Sequence, residues 1–381
     1  SPLLAKTRGK LLKLFLFKPI FSGRLMGEIE KLRNEIDAVD EEILKLLNKR
    51  SRIVLEVANI KRNTKAKFYS PEREQQILER LASMNKGPFP NDALRALYRE
   101  ILSASLSLEE PLKVAYFGPA ATFTHLAALR HFGSSADFVP FESIKGVFES
   151  VDSGKTESGV VPIENSTEGV VSYTLDMFMD YDLKITAEVM LEISHNLLSL
   201  TGSRKDIKKI YSHPQPTAQC RGWLERNLPK IEIVDAISTA KAAELASKDP
   251  SSAAIASELA AKIYNLNFVE RSIEDNKHNY TRFLVISKTI APKTGEDKTS
   301  IMFSIKDKPG ALYDILQPIK KAKINLTKLE SRPSRRKAWE YIFFVDMEGH
   351  IEEKKVRKAI ENIKEGCLYL KFLGSYPHGG Q

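Results

Sequence analysis

The chain has 381 residues, 42% apolar and 28% charged, with 19 Gly and 18 Pro, which suits a globular protein of two or three domains and excludes collagenous, low-complexity and wholly disordered chains. Its two cysteines, Cys220 and Cys367, stand far apart with no C-x-x-C pair, so neither a disulfide framework nor a structural zinc site is supported, and a cytoplasmic home is expected. The formal charge of +9 is uneven: residues 1–26 carry Lys6, Arg8, Lys10, Lys13, Lys18 and Arg24 but no acid, leaving 52 bases against 49 acids in a near-neutral body that argues against a nucleic-acid partner.

In residues 1–26 the LLKLFLF run is interrupted by Lys13 and Lys18, falls short of the ~20 apolar residues of a membrane span, and leads to no small-residue cleavage pattern. It reads as a basic tail, disordered or appended ahead of Met26, and no membrane partner is expected. From Glu28 to about Arg62 there is no Gly or Pro, and apolar residues recur at Ile29, Leu32, Ile36, Val39, Ile43, Leu46, Ile53, Val57 and Ile60. Steps of three and four mark the seam of one long packed helix. A second helix opens at Ser70-Pro71-Glu72 and closes at Asn85-Lys86-Gly87-Pro88; a third runs from Asn91 or Asp92 to Glu110, stopped by Pro111. These helices make an all-α domain over 27–111, and a seam of that length needs a second chain to cover it.

At Lys113 the pattern changes to short β runs alternating with helices: KVAYF, SGVVPI, LKITAEVML, ISHNLLSL, KKIYS, IEIV, AAIAS and TRFLVIS. This predicts an α/β domain over 112–288. A polar linker, 289–298, follows, and from Thr299 to the C-terminus the order strand, helix, strand, strand, helix, strand predicts an α+β, ferredoxin-like domain, 299–381. No repeat of solenoid period is present.

The helical seam carries the first candidate site. The heptad rhythm from Leu46 to Ile53 puts Arg50 where an apolar residue is required, and a guanidinium on a packing face is costly unless an anion meets it. Lys61 lies three turns on, about 16 Å away on nearly the same face, so both could converge on one small anion. Arg33, about 25 Å from Arg50 the other way, can join them only from an antiparallel second chain. Taken alone, Arg50 would more readily snorkel to solvent or pair with a glutamate than bind a ligand. The combination with Arg73-Glu74 heading the second helix, and with Ser105 and Glu109 on one face of the third, changes the weighting.

The runs LRNEIDAVDEEILKLLNKRSRIVLEVANIK, SPERE and EILSASLSLE resemble the helical class of chorismate mutase. The resemblance implies that Arg33, Arg50 and Arg73 hold the two carboxylates of chorismate, with Arg33 crossing from the partner. Lys61 and Glu109 would flank the ether oxygen, Glu74 would accept from the substrate hydroxyl, and Ser105 would assist at a carboxylate. The reaction is pericyclic, so holding the reactive conformer and stabilising charge on the breaking ether suffice, without nucleophile, metal or cofactor. Ser70 stands where some members carry an acid. Glu109 stands where some carry glutamine, and a carboxylic acid can donate to an ether oxygen only when protonated.

The α/β domain places polar clusters at strand ends: Thr122 to His125, Glu164 to Thr167, Ser212 to Gln215 with Gln219, and Asn279 to Phe283. Loops that open into helices supply unpaired amides suited to a carboxylate ligand, though each cluster singly is more often a cap or turn. His125 and His213 lack a second ligand at metal spacing, and no G-x-S-x-G turn supports a hydrolase. Together, GPAATFTHLAA, VVPIENSTEG, SHNLL, SHPQPTAQC and IEDNKHNYTRF resemble prephenate dehydratase over 112–288, implying a two-lobed, periplasmic-binding-protein-like fold. Ala121 and Thr124 depart from the Gly and Ser usual in that family. The resemblance makes Thr281 the donor to the departing hydroxyl, with Glu164, Asn165, Ser212, Gln219 and Arg282 around it.

In the last domain Gly310, followed by Ala311 and Leu312, allows backbone amides to approach a ligand closely. With Glu330, Ser331, Arg332 and Pro333 it resembles the ACT regulatory domain of prephenate dehydratases, which implies L-phenylalanine as feedback inhibitor, bound at a subunit interface of a homodimer or larger homo-oligomer. The implied enzyme of phenylalanine biosynthesis converts chorismate to prephenate and prephenate to phenylpyruvate. The competing class is a non-catalytic amino-acid or solute sensor, in which Arg50, Lys61, Arg73 and Glu109 would have no purpose. A DNA-binding regulator ranks third, against the near-neutral body.

Overall fold

The computed structural model describes residues 20–64, 71–333 and 341–379. The chain divides between Phe68 and Tyr69 into two units. Helix α1 (Ile20–Thr64) makes up the described part of the first. It begins ahead of the expected Glu28, within the segment read as a tail; residues 1–19 lie outside the described residues. Gly23 and Gly27 each cost a helix about 1 kcal/mol against Ala, but a helix already nucleated gains one hydrogen bond per added residue and runs through them. Every residue of the predicted seam is exposed, from 40% at Val57 to 64% at Ile60.

The second unit opens with α2 (Pro71–Met84) and α3 (Asn91–Glu109). Pro71 takes the first helical position, as expected; Ser70 lies outside the described residues. The inner face of α3 buries Leu102, Ser103 and Ser105. Glu100 accepts from the amide and hydroxyl of Ser134 at 3.1 and 2.6 Å, and Ser103 Oγ accepts from the amide of Ser135 at 3.1 Å, so α3 is tied to the α/β body.

That body runs β1 (Lys113–Phe117), α4 (Phe123–Phe132), β2 (Asp137–Phe141), α5 (Ile144–Asp152), β3 (Ser158–Asn165), β4 (Gly169–Val170), α6 (Ser172–Asp180) and β5 (Lys184–Glu192). The chain then crosses to β6 (Asn196–Ser199), β7 (Lys209–Ser212), α7 (Pro214–Gln219), α8 (Arg221–Asn227), β8 (Glu232–Asp235), α9 (Thr239–Ala246), β9 (Ser252–Ala256), α10 (Glu258–Tyr264) and β10 (Asn267–Glu270), and returns as β11 (Tyr280–Ser287). The first sheet has the order β2-β1-β3-β11-β5 with β4 beside β3, and the second β10-β6-β9-β7-β8. Two sheets joined by two crossings form the expected pair of lobes. Strands β2, β4 and β10 are not evident in the sequence: β2 and β10 are short edges, β2 carries Pro140, and such strands show little alternation.

The third domain contains β12 (Asp297–Ser304), α11 (Ala311–Lys321), β13 (Leu326–Pro333), β14 (Tyr341–Glu348), α12 (Lys354–Gly366) and β15 (Tyr369–Pro377), with sheet order β13-β14-β12-β15. One sheet face packs Ile301, Phe303 and Val345 against Ile315, Val356 and Ile363 of the two helices. The other face, with Met302, Ile342, Phe344, Leu373 and Tyr376, shares a core with Phe148, Phe178 and Ile185 of the first lobe. The predicted linker therefore does not hold two bodies apart: Ala291 is buried in that shared core and Asp297 already opens β12. At Gly374 the backbone of β15 crosses β5 so closely that a side chain would run into the carbonyl of Ile185.

Candidate active sites

The candidate cations of the first unit, Arg33, Arg50 and Lys61, lie on α1. Arg33 pairs with Glu30 at 3.6 Å on an exposed turn, and Arg50 and Lys61 lie along one side about three turns apart. In the second unit Arg73 and Glu74 stand in the first turn of α2, and partial burial pushes the Glu74 carboxyl up to about 7. Ser105 donates to the carbonyl of Ile101 at 2.6 Å, and Glu109, one turn later, ends α3.

Within the α/β body, Thr122, His213 and Ser257 cap α4, α7 and α10. His213 Nδ1 accepts from the amide of Gln215, and His125 Nδ1 accepts from that of Ala121 while its ring stacks on Tyr116 with centroids 4.6 Å apart. His213 thus caps a helix, and His125 packs on Tyr116. Ala121 has φ 72, the left-handed region in which a β-carbon costs about 1–2 kcal/mol; its fully buried methyl offsets part of that cost.

A hydrogen-bonded cluster joins the lobes where β3 and β11 pair. Asn165 Oδ1 accepts from the backbone amides of Thr167 and Glu168 at 2.9 and 3.0 Å, which fixes the amide orientation and turns Nδ2 to Thr281 Oγ1 and Asn279 Oδ1, both at 2.8 Å. Thr281, accepting from Asn165, keeps its own O–H as a donor. Gln219 Nε2 donates to Glu168 at 3.1 Å, so its Oε1 faces Asn279 Nδ2 at 3.3 Å and His195 Nε2 at 2.7 Å. His195 must then donate from Nε2; its buried Nδ1 has no hydrogen-bond partner among the described residues, and burial lowers the pKa of the ring.

The structure brings Asn165, Gln219 and Thr281 together and adds Asn279, Glu168 and His195. Their signal in the sequence is weak, because polar residues beside strand ends are usually caps. Glu164 and Arg282 do not join the cluster. They pair in register beside Asn165 and Thr281, and successive residues of a strand point to opposite faces. Glu164 meets Lys328 of β13 at 2.6 Å, and Arg282 meets Glu188 and Asp346 at 2.7 and 2.6 Å. Ser212, fully buried, donates to the carbonyl of its neighbour His213.

In the third domain a cavity of about 250 Å³ is lined by Lys308, Gly310, Ala311, Leu312 and Tyr341, among others. Gly310 caps α11 at φ 79, a conformation that an L side chain resists. Glu330, Ser331, Arg332 and Pro333 do not line that cavity. On β13, Lys328, Glu330 and Arg332 share one half-buried side; Lys328 meets Glu164, and Arg332 meets Asp176 at 2.9 Å and the carbonyl of Ser172, while Ser331 and Pro333 are exposed on the other. Among the described residues no cluster of His, Cys, Asp and Glu could hold a metal, and no helix is long and apolar enough to cross a membrane.

Cation-bearing helices, a two-lobed cleft and a ferredoxin-like domain docked on one lobe define a multidomain enzyme with a regulatory module. Family models agree domain by domain: chorismate mutase type II matches residues 32–110, prephenate dehydratase 114–291 and the ACT domain 299–365. The bifunctional chorismate mutase/prephenate dehydratase of Aquifex aeolicus is 51% identical over 92% of this chain and 98% of its own, and that of Pseudomonas aeruginosa 45% identical over the same shares. The solved prephenate dehydratase of Arthrobacter aurescens, a complex with L-Phe, is 34% identical, with a TM-score of 0.65 over 70% of this chain and 90% of its own. The chain belongs to the family of bifunctional chorismate mutase/prephenate dehydratases. It is an isomerase and a lyase in one polypeptide, and not a plain sensor.

Proposed function

We propose that the dehydratase reaction runs at the Asn165–Thr281 pair. Prephenate loses its ring carboxylate as carbon dioxide; the electron pair enters the ring as hydroxide departs from the opposite carbon, and aromatisation drives both. The enzyme's main task is to help hydroxide leave, and the Thr281 O–H, kept as a donor because Asn165 already donates to its oxygen, stabilises that developing charge. Threonine is too weak an acid to give up its proton unaided, so the proton that completes water passes through a hydrogen-bonded relay. The locked orientation of Asn165 is the observation that carries this reading.

For the mutase, Arg50 and Arg73 hold the carboxylates of chorismate with Ser105, Lys61 and Glu109 flank the ether oxygen, and Glu74 accepts from the hydroxyl. Arg33 comes from a second copy of the chain, whose packing would cover the exposed seam of α1. L-phenylalanine is the effector and Gly310 marks its cavity; the complex of the Arthrobacter aurescens protein supports that ligand. Because Glu330–Pro333 do not themselves line the cavity within one chain, although Ser331 and Pro333 pair with its lining residues Phe343 and Tyr341, a neighbouring subunit would complete the effector site. Two free cysteines suit a reducing cytoplasm. The test is an ultraviolet assay of the full chain with chorismate, following its loss and the appearance of phenylpyruvate with and without phenylalanine. Chorismate consumption without phenylpyruvate, or insensitivity to phenylalanine, contradicts the corresponding part.

A further inference from the structure

On the face of β11 opposite Thr281 lies a buried charge cluster that the reaction does not use. Arg282 donates from Nε to Glu188 at 2.7 Å, from Nη1 to Asp346 at 2.6 Å and from Nη2 to the Tyr376 hydroxyl at 2.9 Å. Lys298 meets the other oxygen of Glu188 at 2.7 Å, and Ser300 joins Asp346 and Tyr376, each at 2.6 Å. The Glu188 side chain is fully buried and that of Arg282 is 9% exposed. Two cations and two carboxylates balance.

Burying four charges is not an efficient source of stability, since apolar residues of similar volume commonly do as well, whereas a guanidinium held through all three of its nitrogens fixes position closely. What it fixes is specific. Thr281 and Asn165 are paired in register on the cleft face, and their immediate neighbours Arg282 and Glu164 are paired in register on the other. Both neighbours are gripped from the ACT sheet, Arg282 by Asp346 of β14 and Tyr376 of β15, and Glu164 by Lys328 of β13 at 2.6 Å.

We propose that Arg282 is a positioning residue for the dehydratase: held by Asp346 and Tyr376, it sets β11 so that Thr281 meets Asn165 and its hydroxyl is aimed at the leaving group. The ACT sheet is then part of the support of the lyase site. The inference rests on the reading that Thr281 is the donor. A displacement of about 1 Å at a reacting group can cost on the order of 100-fold in rate, so the clamp need move only slightly to matter.

Asp346→Asn and Tyr376→Phe test it in the full chain; the second removes one oxygen and leaves the ring in the core. Each is expected to lower kcat for prephenate by about 10- to 100-fold with KM within about twofold, while mutase turnover stays at wild-type level. In a Thr281→Val background Asp346→Asn should cause no further loss, because the hydroxyl it aims is gone; a merely structural role gives equal losses in both backgrounds. Wild-type kcat in both single variants, equal losses in both backgrounds, or mutase activity falling in step overturns the proposal. Wild-type turnover in Thr281→Val itself instead removes the underlying reading.

Discussion

Replacing Thr281 by Val keeps the side-chain shape and removes one oxygen. In the ground state its hydrogen bond to a neutral substrate hydroxyl is worth about 0.5–1.5 kcal/mol, so KM rises by less than about tenfold. As hydroxide departs the same bond meets developing negative charge, and removing such a donor typically costs about 2.7–4 kcal/mol, on the order of 10²- to 10³-fold in kcat. The surroundings survive the change: Asn165 still accepts from the amides of Thr167 and Glu168 and still donates to Asn279. It loses one acceptor, a stability cost of about 1 kcal/mol. Thr281→Ser, which keeps the O–H but loses the methyl that restricts its rotamer, should stay within about tenfold of wild type. The assay follows phenylpyruvate formed from prephenate, with chorismate consumption by the same preparation as control. A Thr281→Val chain that turns over prephenate within about threefold of wild type refutes the donor role, and equal loss of both activities shows misfolding instead.

Arg50→Ala should lower mutase kcat/KM by about 10²-fold or more, the scale of losing a partly buried charged hydrogen bond, while turnover of added prephenate is unchanged; the two rates measured side by side decide it. Glu74 holds its proton up to about 7 in the folded chain but releases it near 4.5 when unfolded, so unfolding releases a proton between those values. Its contribution is present below pH 4.5 and lost as pH rises to 7; Tm should fall across that window in wild type relative to Glu74→Gln, with the difference constant above it. Gly310→Val forces a β-branched residue to φ 79 and should raise the phenylalanine concentration needed for half-inhibition at least about tenfold, with uninhibited rates kept, as dose-response curves of dehydratase activity would show.

The second and third helices, most strand runs and the order helical, α/β, α+β could be read from the residues because each depends on local periodicity and on Pro71, Gly87-Pro88 and Pro111 as punctuation. The same periodicity placed Arg50 on an apolar stripe and so drew attention to a ligand. It said little about β2 and β10, whose edge positions are set by what pairs with them.

Thr281 and Arg282 are adjacent in sequence and the family resemblance puts both in one pocket, yet the strand sends their side chains to opposite faces, one toward Asn165 and one to Asp346 and Tyr376 of the ACT sheet. Glu188, a lone acid in the run LKITAEVML, reads only as a strand residue until Arg282 and Lys298 are found beside it. Local pattern reports which residues share a helix or strand face. Which remote charges meet across that face depends on how two sheets stack, and the free energy of burying them exists only once they are paired.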